Sequence, residues 1–113
     1  MTPPHHGSCH CGAVTLTLHE NPPTKAECNC SLCRRIGGLW YHCAPGAVSV
    51  SGPLHGYIQG DKTLTTWRCA NCGCTSHWTP IDPDGERMGV NLRMFDPELV
   101  ASLPLIHIDG ASW

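Results

Sequence analysis

Basic residues are scarce in this chain of 113: Lys and Arg number seven against nine Asp and Glu, for a formal charge of −2. Nucleic-acid binders concentrate positive charge on one face, so no nucleic-acid partner is expected. Long apolar runs are missing too. No stretch approaches the ~20 residues of a membrane-crossing helix, and the opening MTPPHHGSCHCG has neither the basic nor the apolar segment of a secretory signal. Aromatic side chains are few, at four Trp, two Tyr and one Phe, whereas Gly and Pro fill 12 and 10 positions. With no low-complexity segment or linker, the expectation is a single domain over residues 1–113 whose modest core gains from cross-links.

Cysteine, by contrast, is abundant, with nine residues. An odd number without a signal segment points to a cytoplasmic protein, where clustered thiols bind metal rather than pair as disulfides. By spacing they form C-x-C (Cys9, Cys11), C-x-C-x-x-C (Cys28, Cys30, Cys33) and C-x-x-C (Cys69, Cys72). In CANCG, residues 69–73, two intervening residues let both thiolates reach one ion, and Gly73 permits the positive φ that closes such a knuckle. A redox C-x-x-C competes, but that motif opens a helix, whereas this one sits between strand-like runs. Cys9 and Cys11 with Cys69 and Cys72 complete a tetrahedron of thiolates, a closed structural zinc site.

That leaves Cys28, Cys30 and Cys33 for a second ion. Three protein ligands and an open position is the stoichiometry of catalytic zinc, where water or a substrate thiol fills the gap. The alternative is that His10, His42 or His77 closes a structural site of three cysteines and one histidine. Cys43 and Cys74 read as free thiols packed among apolar neighbours.

The pattern between these motifs is mainly β. Val14, Leu16 and Leu18 alternate with polar residues as in a half-buried strand. LWYHCA, AVSVSG, LHGYIQ, KTLTTWRC and TSHWTPI read as further strands, and LIHI as a short last one. RMGVNLRMF reads as a strand with Val90, Leu92 and Met94 on one face and Asn91 and Arg93 on the other. SLCRRIGG allows one helical turn. DPELVASL, residues 96–103, is the one credible helix, with Asp96 as N-cap and Pro97 at its first position. The sum is short antiparallel strands around metal-binding turns, with one short helix near the C-terminus.

In order along the chain, GSCHCGAV (7–14), CNCSLCRRIGG (28–38), GDKT (60–63), CANCGC (69–74), VNLRMFD (90–96) and IDGASW (108–113) resemble the glutathione-dependent formaldehyde-activating enzyme family, which includes the centromere protein V type proteins. The resemblance implies a β-tent of antiparallel sheets. It implies a structural zinc on Cys9, Cys11, Cys69 and Cys72, and a catalytic zinc on Cys28, Cys30 and Cys33. The implied activity joins glutathione and formaldehyde into S-hydroxymethylglutathione, classed as a carbon–sulfur lyase in the reverse direction. Expected partners are then a small-molecule thiol and an aldehyde, with a homodimer as candidate assembly and neither nucleic acid nor membrane. A non-catalytic zinc module for protein partners, or for metal and thiol handling, is the rival.

Several residues gain meaning beside the second site. Arg34 and Arg35 follow Cys33 directly and offer a basic rim for a carboxylate of a glutathione-like substrate. Trp40, Tyr41, Trp67 and Trp78 supply candidates to wall a cleft, with plain core packing as the alternative. Asp61 and Lys62 read as a solvated turn, with substrate contact as the alternative. Asp109 and Gly110 read as a turn, and Trp113 as a terminal packing anchor.

Overall fold

The structure, a computed structural model, describes residues 2–112, and the anchor expected of Trp113 falls outside them. The N-terminal half runs β1 (His5–Ser8), β2 (Thr15–Leu18), β3 (Lys25–Cys28), α1 (Cys33–Ile36), β4 (Trp40–Cys43) and β5 (Val48–Ser51). The remainder runs β6 (Leu54–Ile58), β7 (Leu64–Cys69), β8 (Thr75–Pro80), β9 (Met88–Asn91), α2 (Pro97–Ala101) and β10 (Leu105–Ile108). β1, β2 and β5 form a three-stranded sheet, and the other strands form a seven-stranded sheet ordered β10-β3-β4-β9-β8-β7-β6. Among the described residues no helix is long and apolar enough to cross a membrane.

The core lies between these layers. Val14, Leu16 and Leu18 are sealed from solvent, as their alternation predicts, and cluster with Val90, Leu92 and Phe95. Cys9, Cys43 and Cys69 are buried in the same cluster. The expected C-terminal helix forms, with the Glu98 amide donating to Asp96 Oδ1 at 2.9 Å. It closes after Ala101, earlier than the 96–103 expectation, where the Ser102 hydroxyl donates to the Leu99 carbonyl at 2.7 Å.

Three features depart from the sequence pattern. The strand expected over RMGVNLRMF ends at Asn91, because the Asn91 side chain accepts the Arg93 amide and starts a 3₁₀ turn over Leu92–Met94. All four residues of β9 are buried, so its two faces do not differ in exposure. A strand at the middle of the larger sheet, covered on both faces, shows no alternation. Second, β10 pairs with β3 in parallel, Leu105 opposite Lys25 through Ile108 opposite Cys28, amid otherwise antiparallel pairings. Third, β1 and β3 were not expected: HHGS and KAEC lack β-branched residues and form only against their partners.

Candidate metal centres

The sulfurs of Cys9, Cys11, Cys69 and Cys72 all lie within 4.8 Å of one another. Their carriers are the turn after β1 and the turn that joins β7 to β8. Each turn closes on a glycine: the Gly12 amide donates to Cys9 O, and the Gly73 amide, one residue further along its turn, to Cys69 O, at φ values of 82° and 81° that favour glycine. Backbone amides also point at sulfur, from Val14 to Cys9 Sγ at 3.3 Å and from Asn71 to Cys69 Sγ at 3.3 Å. Such bonds favour thiolate over thiol. Hydrogen bonding from the Cys74 and Cys11 backbone holds the Cys72 thiol down at about 5. Zn–S bonds of about 2.3 Å in a tetrahedron put sulfurs about 3.8 Å apart. The observed separations, 3.6 Å for Cys9–Cys11 and 3.7 Å for Cys11–Cys69, fit such an ion.

The second cluster holds Cys28, Cys30 and Cys33, again within 4.8 Å of one another. Cys28 ends β3, Cys33 opens α1, and Cys30 sits on the bend between them. The Cys33 amide donates to Cys30 Sγ at 3.2 Å. Burial pushes the Cys30 thiol up, but hydrogen bonds from the Cys33 backbone and thiol carry it below the ordinary value. Burial pushes Cys33 upward, aided by bonding to Cys30 and charge on Cys28. Among the described residues no histidine, carboxylate or further cysteine joins this cluster, so neither His10, His42 nor His77 closes it. His77 is 5% exposed, with Nδ1 2.7 Å from Ser76 Oγ, and His42 packs on Trp78 with ring centroids 5.8 Å apart.

A cleft of about 620 Å³ adjoins this loop, lined by Ser31, Leu32, Arg35, Tyr57, Gln59 and Asp61. Ser31 and Leu32 are the residues between Cys30 and Cys33, and the others across the cleft come from β6 and the turn after it. Arg35 Nη1 donates to the Ser31 carbonyl at 2.7 Å, which fixes the guanidinium at the rim. Arg34 is exposed on α1 and does not line the cleft. None of Trp40, Tyr41, Trp67 and Trp78 lines it either. Trp40 is 2% exposed, Tyr41 donates to Glu20 Oε2 at 2.7 Å, and Trp67 Nε1 donates to Thr79 Oγ1 at 2.8 Å. The aromatic residue there is Tyr57, which sequence alone did not single out because an exposed tyrosine on an edge strand has no local signature.

Outside the clusters, Cys43 is buried and its thiol is pushed to about 11 by burial and the charge of Glu20. Cys74 is half-buried against the core. Arg93 Nε donates to the Gly37 carbonyl at 2.6 Å, tying the end of α1 to the turn after β9. Asn29, Asp109 and Ser112, given no site role by the sequence, form a hydrogen-bonded group against the three-cysteine loop.

Two comparisons bear on this arrangement. The profile described as glutathione-dependent formaldehyde-activating enzyme matches residues 4–108. The chain belongs to that family. It is also similar to a Rhodobacter sphaeroides protein of known crystal structure, at 28% identity and a TM-score of 0.73, over 89% of this chain and 99% of that one. The family's glutathione and formaldehyde chemistry suits a chain whose cysteine clusters could hold zinc.

Proposed function

We propose that this protein is a zinc-dependent carbon–sulfur lyase-type enzyme of the cytoplasm that joins or splits a glutathione-like thiol and an aldehyde at Cys28, Cys30 and Cys33. The contrast between the two clusters carries the proposal: one has four protein donors and the other three. Four thiolates on Cys9, Cys11, Cys69 and Cys72 satisfy a tetrahedral ion and serve the fold. Three leave a coordination position for a ligand from solution. Zinc held there would supply Lewis acidity, lowering the pKa of a thiol and polarising a carbonyl.

The chain's own residues supply placement. Arg35 faces the cleft beside the cysteine loop, where its guanidinium can hold a carboxylate of the thiol substrate in two parallel bonds. Arg34, exposed one residue earlier, adds positive charge to the approach. Within the bound pair, the thiol gives up its proton and its sulfur adds to the aldehyde carbon. The carbonyl π electrons pass to oxygen, which takes up a proton. The product is a hemithioacetal, an S-hydroxymethyl compound when the aldehyde is formaldehyde, and nothing is oxidised or reduced.

The addition proceeds without an enzyme, so the test is acceleration above background. Exchange NMR of glutathione, formaldehyde and their adduct should show interconversion rates that rise in proportion to protein. Rates that stay at background for every thiol and aldehyde tried would remove the enzyme assignment.

A partner-binding module remains the second reading, favoured by apolar side chains on both edges of the larger sheet. Tyr57 and Ile58 on β6 are 53% and 51% exposed, and Leu105 and Ile106 on β10 are 43% and 44% exposed. Sheet edges invite pairing with another chain, a homodimer included. That reading requires both zinc sites to be inert to added thiols.

A further inference from the structure

The C-terminal segment Ile108–Ser112 lies against the three-cysteine loop although some 80 residues separate them. Parallel pairing brings Ile108 opposite Cys28, and the Asn29 amide donates to Ile108 O at 3.1 Å. The Asn29 side chain then uses both ends: Nδ2 donates to Asp109 Oδ1 at 2.9 Å, and Oδ1 accepts the Ala111 amide at 2.9 Å. Asp109 is held in turn by the Ser112 hydroxyl, which donates to Oδ2 at 2.6 Å. These bonds seat Gly110 on the site. A Cβ there would stand 2.6 Å from Cys28 Sγ and 3.1 Å from Cys30 Cβ, so any side chain would displace a ligand sulfur. Gly110 has no positive φ, so lack of space and not backbone geometry restricts the position to glycine.

We propose that residues 108–112 form the fixed outer wall of the three-cysteine metal site, with Asn29, Asp109 and Gly110 as positioning residues that hold Cys28 and Cys30 in ligating geometry. The proposal rests on the reading that this cluster binds zinc. The wall leaves the ion approachable only from its other sides. Partners that orient metal ligands typically contribute 10–100-fold in affinity.

Zinc release from the purified protein under graded chelator, followed as zinc per chain, reads the two sites separately. Gly110→Ala should weaken the more labile zinc by about 10–100-fold and leave the tightly held zinc and the circular dichroism spectrum unchanged. Asn29→Asp sets two carboxylates against each other and should weaken the same zinc about tenfold, even though added negative charge would by itself tighten a dication. Combining it with Asp109→Asn restores a donor and acceptor pair and should recover wild-type affinity. A wild type that binds a single zinc would defeat both the wall and the functional reading it rests on. A wild type that binds two, with all variants releasing zinc like the parent, overturns the wall alone. Loss of both zincs together in Gly110→Ala, with no rescue by the paired exchange, overturns it as well.

Discussion

The sulfurs of Cys11 and Cys69, 58 positions apart in the chain, stand 3.7 Å from each other. An ion shared by them and by Cys9 and Cys72 would clip the turn after β1 to the β7–β8 turn. Structural zinc contributes roughly 10 kcal/mol or more in small domains, comparable with the ~5–15 kcal/mol that keeps a whole domain folded. Cys69→Ser should therefore abolish the cooperative thermal transition seen by circular dichroism. A variant that melts within a few degrees of the parent would show that the clip does not hold the fold.

Asn91 is 3% exposed and spends its side chain on three partners. Oδ1 accepts the Leu39 and Arg93 amides, both at 3.2 Å, and Nδ2 donates to Thr75 O at 2.9 Å. Replacing it with Leu leaves backbone groups on three segments without their partner, the Leu39 amide among them buried, at a cost of roughly 3 kcal/mol. Denaturant titration should show that loss, with an unchanged midpoint as the contrary result.

His77 is buried, and burial lowers its pKa to about 4. Burial, then the charge of Arg87, does the same to His42. Both are depressed below the unfolded value of about 6.5, so the unfolded chain takes up protons first as pH falls. These histidines leave stability intact above about 6.5 and reduce it as pH drops toward 4, below which their effect levels off. NMR titration of the His77 ring should show a neutral imidazole at pH 5.5. A charged ring at that pH would contradict the burial argument.

Arg35 borders the cleft beside the cysteine loop. Arg35→Ala should raise KM for glutathione about tenfold with little change in kcat, as expected of a charge-assisted bond to a substrate carboxylate. A small neutral thiol should be unaffected. An equal loss for both thiols would make Arg35 a support for the loop rather than a substrate contact.

The two cysteine clusters are legible in the sequence because their spacing is local. C-x-C, C-x-C-x-x-C and C-x-x-C each deliver sulfurs from one turn, and a closing glycine marks the knuckle at Gly73. The alternation of Val14, Leu16 and Leu18 is legible for the same reason. Asn29, Asp109 and Gly110 are not, because their meeting depends on a parallel pairing between β3 and β10 that no local pattern encodes. The partners of Asn91 are not legible either, since a strand buried on both faces loses the period that would tell one face from the other. The aromatic residues mislead: Trp40, Trp67 and Trp78 belong to strands of the larger sheet, while the cleft takes its ring from Tyr57.

The central claim is that the three-cysteine cluster performs chemistry while the four-cysteine cluster performs folding. Zinc content and thiol–aldehyde exchange rate, measured together on Cys30→Ser, test it most directly. The account predicts a folded protein that keeps the four-cysteine zinc, loses the other, and exchanges adduct at the uncatalysed rate. A Cys30→Ser protein that unfolds as Cys69→Ser does, or that still accelerates exchange, would contradict it.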